Sequence, residues 1–218
     1  MISRRGFLGA AALTGLLRGA QKGQPGLPHF APKAKRIIYL FQSGGPSQIE
    51  LFDHKPRLMD FQGKDLPESI RNGQRLTTMA SGQSRFPVAP SKFKCAQHGQ
   101  CGMWVSELLP NIARVADDLC VVRSMVGETP LHGAQNLLLH TGRSIGAAPS
   151  VGSWVSYGLG TENANLPAFI TICPTLTHGG VNNWSSAFLP APYQGTPIGN
   201  ASISAEQAKI PFIQSPKP

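Results

Sequence analysis

Three short apolar runs in the chain have the composition of buried β-strands. Residues 37–41, IIYLF, contain only β-branched, aromatic and aliphatic side chains, and residues 119–122 and 169–173 have a similar pattern. A run of about four to eight such residues, ended by turn-forming residues, predicts a strand that is covered on both faces. The sequence therefore predicts three buried strands.

The segments between these runs show the periodicity of α-helices. Residues 106–117 begin with a potential serine cap, carry Pro110 in the first turn and repeat apolar residues at helical spacing. Residues 134–140 form a second helical pattern, which Gly142 ends, and residues 150–159 form a third. The large apolar residues of the third pattern share one face: Val151, Trp154, Val155 and Leu159.

The predicted elements follow the order strand, helix, strand, helix, helix, strand. Strands that alternate with helices favour an α/β protein whose parallel strands are joined by right-handed crossovers. We therefore expect a doubly wound, mostly parallel sheet. Residues 54–100 are interrupted by four X-Pro steps and predict a long irregular excursion, where substrate selection could reside.

The first twenty residues have the features of a twin-arginine export signal. Arg4 and Arg5 lie in the string SRRGFL, and a short, mildly apolar run follows at residues 9–17. That run is shorter than the about 20 apolar residues that span a bilayer, so we expect no transmembrane span in the mature chain. An ordinary amphipathic leader is the alternative. The sequence thus predicts a signal peptide over residues 1–20, a Pro- and Gly-rich linker over residues 21–34, and a periplasmic or extracellular protein.

Composition places the rest of the chain, residues 35–218, in one folded domain. Of the 218 residues 14% are charged, 24 are Gly and 19 are Pro, as in a compact, loop-rich protein. The net charge of +9 falls to +6 without the three arginines of the first twenty residues. The remaining basic residues are scattered, without an arginine-rich helix or interleaved aromatic residues, so we expect no nucleic-acid partner.

The four cysteines leave two interpretations open. Cys95 and Cys101 flank His98 and could form a disulfide or a metal clip. Cys120 and Cys173 lie in apolar runs, which favours buried thiols. Because no CxxC motif occurs, the sequence favours the absence of a metal site at the cysteines.

The carboxyl ends of the predicted strands select the candidate ligand site, because open α/β sheets bind their ligands there. The turn after the first predicted strand offers backbone amides that can hold an anion, and a plain tight turn is the alternative. The residues of this candidate anion site are Ser43, Gly44, Gly45 and Ser47. His132 begins a predicted helix, and His178 follows the third predicted strand. Each of the two imidazoles is either a ligand or catalytic group, or a hydrogen-bonded structural residue.

Several strings of the sequence resemble one family of exported proteins. They span roughly residues 35–200 and are YLFQSGGPSQIELFD, SELLP, DDLCVVRSM, HTGR and SVGSWVSYGLGTENANLPAF. They resemble the uncharacterised family called domain of unknown function 1501, which belongs with the sulfatases to the alkaline-phosphatase-like superfamily. The Leu-x-Thr-Gly-Arg string that ends at Arg143 also resembles the end of the sulfatase nucleophile motif. The resemblance implies an α/β/α sandwich and descent from a hydrolase of sulfate or phosphate esters.

The resemblance also assigns roles to individual positions. His132 stands where sulfatases carry the cysteine or serine nucleophile, and Asn136 stands where they carry an arginine, so both become candidate catalytic residues. Gln42 and Ser43 occupy the positions of paired aspartates that hold a divalent cation in sulfatases, but an amide and a hydroxyl supply no charge for a hard cation. The candidate contacts that remain for a divalent cation, calcium or zinc, are Asp53 and His178.

The resemblance further implies that the sandwich is incomplete. The remaining metal ligands of the superfamily come late in longer chains, so we expect the amino-terminal portion of a longer protein. The first hypothesis is an exported sulfatase-like hydrolase that acts on a sulfated or phosphorylated glycan. The alternatives are a non-catalytic exported binding protein and an inactive fragment of a longer chain.

Overall fold

The computed structural model describes residues 22–71, 73, 80–163 and 166–209. The predicted signal peptide, residues 1–20, therefore lies outside the described residues. Contacts divide the chain into two units. We call Gly44–Val126 the hairpin unit, and the described residues of Met1–Ser43 and Gly127–Pro218 the helix-pair unit.

The hairpin unit begins with short helical turns. Two 3-10 helices span Gln48–Glu50 and Pro56–Phe61, and helix α1 spans Glu68–Arg71. Helix α1 and the second 3-10 helix lie inside residues 54–100, where the sequence predicts an irregular excursion. The turns stay short because proline starts a helical turn but cannot donate the hydrogen bond that would extend it backwards.

An antiparallel hairpin follows these turns. Strand β1, Cys95–His98, pairs with strand β2, Met103–Ser106, and His98 faces Met103 in the register. The connecting turn needs left-handed backbone at Gly99 and Gly102, whose φ angles are 68° and 66°. Antiparallel pairing across a short turn needs no strand from elsewhere in the chain, so the hairpin forms within a segment that has no strand periodicity.

The predicted helix over residues 106–117 forms as two short pieces. Helix α2 spans Pro110–Ala113, and a 3-10 helix spans Ala116–Asp118. The carboxylate of Asp117 accepts hydrogen bonds from the backbone amides of Cys101 (2.8 Å) and Gln100 (2.9 Å). These bonds hold the pKa of Asp117 below its ordinary value and connect the hairpin turn to the helical segment.

Two helices dominate the helix-pair unit, where the sequence predicts them. Helix α3 spans His132–Thr141 and ends at Gly142, whose left-handed backbone (φ 75°) lets its amide donate to the Leu138 carbonyl at 2.8 Å. Helix α4 spans Val151–Leu159. A serine, Ser150, precedes it and is completely buried.

A short parallel strand pair completes this unit. Strand β3, Ile170–Ile172, confirms the third predicted strand and pairs with β4, Thr196–Ile198. Two 3-10 helices, Gly180–Trp184 and Ala191–Tyr193, lie between the two strands in the chain. The buried apolar side chains of the described residues are Val105, Ala113 and Ala116 in the hairpin unit and Ala148, Trp184 and Leu189 in the helix-pair unit.

Helix α4 packs through its small residues. Ser153 and Ser156 are buried, and Gly152 lies so close to the Phe169 ring that a Cβ atom would approach it to 2.5 Å. The large apolar residues of this helix face solvent instead, since Val151 and Trp154 are exposed. The periodicity therefore predicts the helix, but its apolar face is the open one.

Two of the three predicted strands do not form. Residues 37–41 and 119–122 have no strand structure, and most of their side chains are exposed. A strand persists when a neighbour satisfies its backbone N–H and C=O groups, and the described residues give these two segments no such neighbour. The described residues combine helices with one antiparallel and one parallel strand pair, and they do not form a doubly wound sheet.

Candidate functional site

The amino-terminal end of helix α3 carries two of the predicted site residues. His132 is the first residue of the helix, and Asn136 lies one turn further along the same face. The residue before the helix, Leu131, gives no side-chain cap to its free amides. The positive end of the helix dipole thus remains beside an exposed imidazole.

His178 reaches the same place from a different part of the chain. It lies in the turn after strand β3, and its left-handed backbone (φ 54°) is uncommon for a residue with a side chain. Its imidazole ring and that of His132 have centroids 5.6 Å apart and planes tilted by 38°. Both histidines are exposed, so a ligand can approach the two rings together.

Asn136 extends this arrangement to Ser43. The Asn136 side chain is only 5% exposed, and its Nδ2 donates to the Ser43 Oγ at 3.4 Å. The structure thus brings together four residues that the sequence analysis selected from three separate segments. We call this set the two-histidine site; its members are Ser43, His132, Asn136 and His178.

An aromatic cluster holds the segment that carries Ser43. The ring of Phe41 lies 4.4 Å from the His140 ring, and that of Tyr39 lies 5.4 Å from it, both in edge-to-face geometry. Burial lowers the pKa of His140 and raises that of Tyr39, because each loses solvent that would stabilise its charged form. The cluster places residues 39–43 along helix α3.

Two residues with supporting roles are not among the predicted site residues. His140 positions the Ser43 segment, and the only sequence signal for it is its location eight residues after His132 on the same predicted helix. Asn183 donates from Nδ2 to the His178 carbonyl at 3.2 Å, and its buried Oδ1 has no hydrogen-bond partner among the described residues. No spacing in the sequence identifies Asn183.

The other predicted site residues belong to the hairpin unit. Gly44 and Gly45 both have left-handed backbone, with φ of 100° and 62°, and Ser47 precedes the first 3-10 helix without capping it. Asp53 accepts a charge-assisted hydrogen bond from Lys55 Nζ at 2.6 Å. The anion-binding role of the glycines and Ser47 stays a prediction, and so does the metal-binding role of Asp53 and His178.

The donor set is a poor fit to a resident hard cation. Among the described residues, no three His, Cys, Asp or Glu side chains lie close enough together to hold a metal ion. Calcium and magnesium take several oxygen ligands, usually with carboxylates, whereas the two-histidine site offers two imidazoles, an amide and a hydroxyl. The four cysteines are free thiols, and Cys101 and Cys120 are exposed.

The two-histidine site has the groups that an oxyanion requires. Each imidazole carries at least one N–H donor in either protonation state. The free backbone N–H groups at the start of helix α3 lie beside His132, and the positive end of the helix dipole there attracts negative charge. An imidazole can also accept or donate a proton at a bound ligand.

No helix of the described residues is long and apolar enough to cross a membrane.

Fold and site together define a mixed α and β protein with an exposed histidine pair at the start of a helix. The chain belongs to the family of proteins of unknown function DUF1501, whose model matches residues 34–217. No curated protein and no solved structure matches it significantly. The family model confirms the resemblance to domain of unknown function 1501. The relationship to sulfatases stays a prediction.

Proposed function

We propose that this protein is an exported, sulfatase-like protein whose two-histidine site binds the sulfate or phosphate group of an ester, carried by a glycan. The observation that supports this function most directly is the 5.6 Å separation of the His132 and His178 rings. Two N–H donors at this distance can contact different oxygens of one tetrahedral oxyanion. The resemblance to sulfatases supports the ester class, because it assigns the nucleophile position to His132.

Asn136 and Ser43 support the site in different ways. Asn136 is buried and fixed by the hydroxyl of Ser43, so its amide is preorganised rather than recruited on binding. Ser43 is exposed and can offer its hydroxyl to the same ligand. The Asn136 amide and the Ser43 hydroxyl are uncharged polar groups. Such groups favour the binding of an anion but do not strongly polarise its ester bond.

Hydrolysis is the second candidate, favoured by the location of His132. In that reaction an imidazole nitrogen of His132 attacks phosphorus or sulfur, a bond forms between them, and the ester P–O or S–O bond breaks. The leaving alkoxide takes a proton from the imidazolium form of His178 and departs as the alcohol. Water then breaks the bond to His132 and gives its proton back to His178. The four residues of the two-histidine site include no arginine or lysine that would stabilise the charge of the transition state, so we expect binding with little turnover.

Calorimetry with inorganic phosphate, inorganic sulfate and the 4-nitrophenyl esters of both tests the proposal. We expect one site per chain, weakened about tenfold by His132→Gln or His178→Gln, because each removes a hydrogen bond to a charged group. His98→Gln is the matched control, since His98 lies in the hairpin unit. Equal binding by all four proteins, or none by the wild type, would exclude the site. Rapid turnover of an ester that His132→Ala abolishes would replace binding by hydrolysis as the function.

Export is tested separately. We expect a bacterium with an active twin-arginine pathway to export the wild-type chain from its cytoplasm. The double variant Arg4→Lys, Arg5→Lys should stay in the cytoplasm. Cell fractionation with an antibody measures this. Export that is unaffected by the double change would contradict the twin-arginine assignment.

A further inference from the structure

The turn that carries His178 has an unfavourable backbone. His178, Gly179 and Gly180 have φ angles of 54°, 110° and 54°, so three consecutive residues lie in the left-handed region. Glycine adopts this region readily, but a residue with a side chain does so at a cost in stability. Such residues persist where the surrounding structure holds them, and they are concentrated at functional sites. The two glycines therefore need no further explanation, whereas His178 does.

The side chain of Asn183 holds this turn from its buried side. Asn183 lies in the 3-10 helix Gly180–Trp184 and is only 7% exposed. Its Nδ2 donates to the His178 carbonyl at 3.2 Å, and a carbonyl held in one direction fixes the backbone on either side of it. Gly179 lies against the same side chain, since a Cβ atom there would approach Asn183 Oδ1 to 2.7 Å. Asn183 thus restrains the backbone at His178.

Asn183 is itself an unfavourable residue at this position. Its Oδ1 is buried and has no hydrogen-bond partner among the described residues. A buried carbonyl oxygen without a donor destabilises a fold, because it has lost its hydration without a replacement. A leucine branches at the same carbon atom and would avoid this cost, but it could not donate to His178. Two unfavourable features therefore lie in one turn, which is typical of a functional site.

Helix α3 restrains the turn from the other side. A Cβ atom on Gly133 would lie 3.7 Å from the Cα of His178, and one on Gly179 would lie 3.0 Å from Leu137 Cδ2. The backbone of His178 is therefore beside the residue that follows His132. Because the backbone sets the direction of the Cα–Cβ bond, another conformation at His178 would move its ring from the present position, 5.6 Å from the His132 ring.

We propose that Asn183 is a positioning residue of the two-histidine site. It holds His178 in left-handed backbone, so that the two imidazoles lie side by side before any ligand binds. Preorganisation of this kind lowers the cost of binding, and the unfavourable turn is its consequence. The inference rests on the proposed function, which gives the reason for the strain. The strain itself can be measured without a ligand.

A double-mutant cycle followed by thermal unfolding tests the restraint without a ligand. His178→Gly should raise the melting temperature by about 2–4 °C, because glycine adopts a φ of 54° without strain. In the Asn183→Leu background the same change should raise it by less than about 1 °C, since the turn is then free to relax. Equal gains in the two backgrounds would overturn the proposal. If Asn183→Leu does not fold, Asn183→Ala replaces it with the same expectation.

Ala187→Gly is the matched control for this cycle. Ala187 also has left-handed backbone, with a φ of 47°, and its amide donates to Ser185 Oγ rather than contacting Asn183. Its replacement by glycine should change the melting temperature by the same amount in both backgrounds. A gain that disappears there as well would mean that Asn183→Leu loosens the whole segment, and the specific role of Asn183 would be wrong.

Calorimetry with inorganic phosphate connects the turn to the site. We expect Asn183→Leu to weaken binding about tenfold, as much as His178→Gln does, although both imidazoles remain in the chain. Its melting temperature should fall by no more than about 2 °C, because the removal of the unpaired Oδ1 offsets the lost hydrogen bond. Wild-type affinity in Asn183→Leu would overturn the positioning role. Absence of binding to the wild type would contradict the proposed function, and the double-mutant cycle would still decide whether Asn183 holds His178.

Discussion

The segment around Trp184, NNWSS, is more polar in sequence than the segment at residues 37–41, IIYLF, and yet it is the more buried of the two. Trp184 is 6% exposed, whereas Ile38 and Leu40 are 83% and 90% exposed. The Trp184 carbonyl accepts two hydrogen bonds, one from the Gly195 amide at 2.9 Å and one from the Gln194 side chain at 3.1 Å. Apolar composition therefore leads to burial only where a neighbouring backbone can approach.

Glycine determines where that approach happens. Gly195 lies so close to Trp184 that a Cβ atom would meet the Trp184 Cβ at 2.9 Å, and Gly152 meets the Phe169 ring in the same way. Residues 37–41 contain no glycine, and the rings of Tyr39 and Phe41 contact His140 of helix α3. The difference between the two regions is thus one of backbone access rather than of hydrophobicity.

The largest expected effect is on the free energy of unfolding, when one large side chain in each of the two regions is truncated to alanine. Trp184→Ala should lower the free energy of unfolding by about 3–5 kcal/mol, because it leaves a cavity in a packed site. Ile38→Ala should change it by about 0.5 kcal/mol or less, as expected for an exposed side chain. Urea unfolding followed by circular dichroism measures both. Similar losses in the two variants would show that residues 37–41 are packed in solution.

A smaller effect is expected from adding a methyl group to helix glycines. Gly152→Ala should destabilise the protein by about 1–3 kcal/mol, because the new Cβ overlaps the Phe169 ring. Gly133→Ala is the matched control in helix α3, where the nearest atom to a Cβ is 3.7 Å away. It should be neutral or stabilising by up to about 1 kcal/mol from helix propensity. The reverse order of the two melting temperatures would refute the close packing of α4 on Phe169.

The smallest effect concerns the contact that holds residues 39–43 to helix α3. Since burial lowers the pKa of His140, the unfolded chain takes up a proton at a higher pH than the folded chain. Stability from this contact is therefore complete above the unfolded value of about 6.5 and is lost as the pH falls through the lower, folded pKa. His140→Phe should remove this part of the pH dependence.

The measurement is the urea midpoint of the wild type and of His140→Phe between pH 8 and pH 5. The difference between the two proteins isolates His140 from the other five histidines of the chain. Parallel curves for the two proteins would mean that His140 is not buried against Tyr39 and Phe41.

Helices α3 and α4 could be predicted from the sequence because their signals are local. Gly142 ends α3 through its own backbone, and Ser150 precedes α4 where the periodicity begins. The strand prediction at residues 37–41 failed because it depended on partners that a single segment cannot specify. The hairpin at Cys95–Ser106 was not predicted because its turn is held by Asp117, which lies outside the hairpin.

The sheet that suggested the candidate site does not form among the described residues, and two of the predicted site residues nevertheless lie together. His132 and His178 were selected as residues that follow parallel strands, and they do meet. The start of α3 and the turn after β3 bring them together, whereas the strand expected before His132 does not form. The link from Asn136 to Ser43 could not be foreseen, because it depends on the aromatic rings of Tyr39 and Phe41 against His140.

The central claim is that His132 and His178 form one oxyanion site although 46 positions separate them in the sequence. Nuclear magnetic resonance of the imidazole ¹⁵N–¹H groups during a titration with inorganic phosphate tests it most directly. We predict that the signals of His132 and His178 shift together along one saturation curve, and that His178→Gln moves the curve of His132 to an about tenfold higher phosphate concentration. Independent shifts of the two rings, or shifts no larger than that of His98, would contradict the claim.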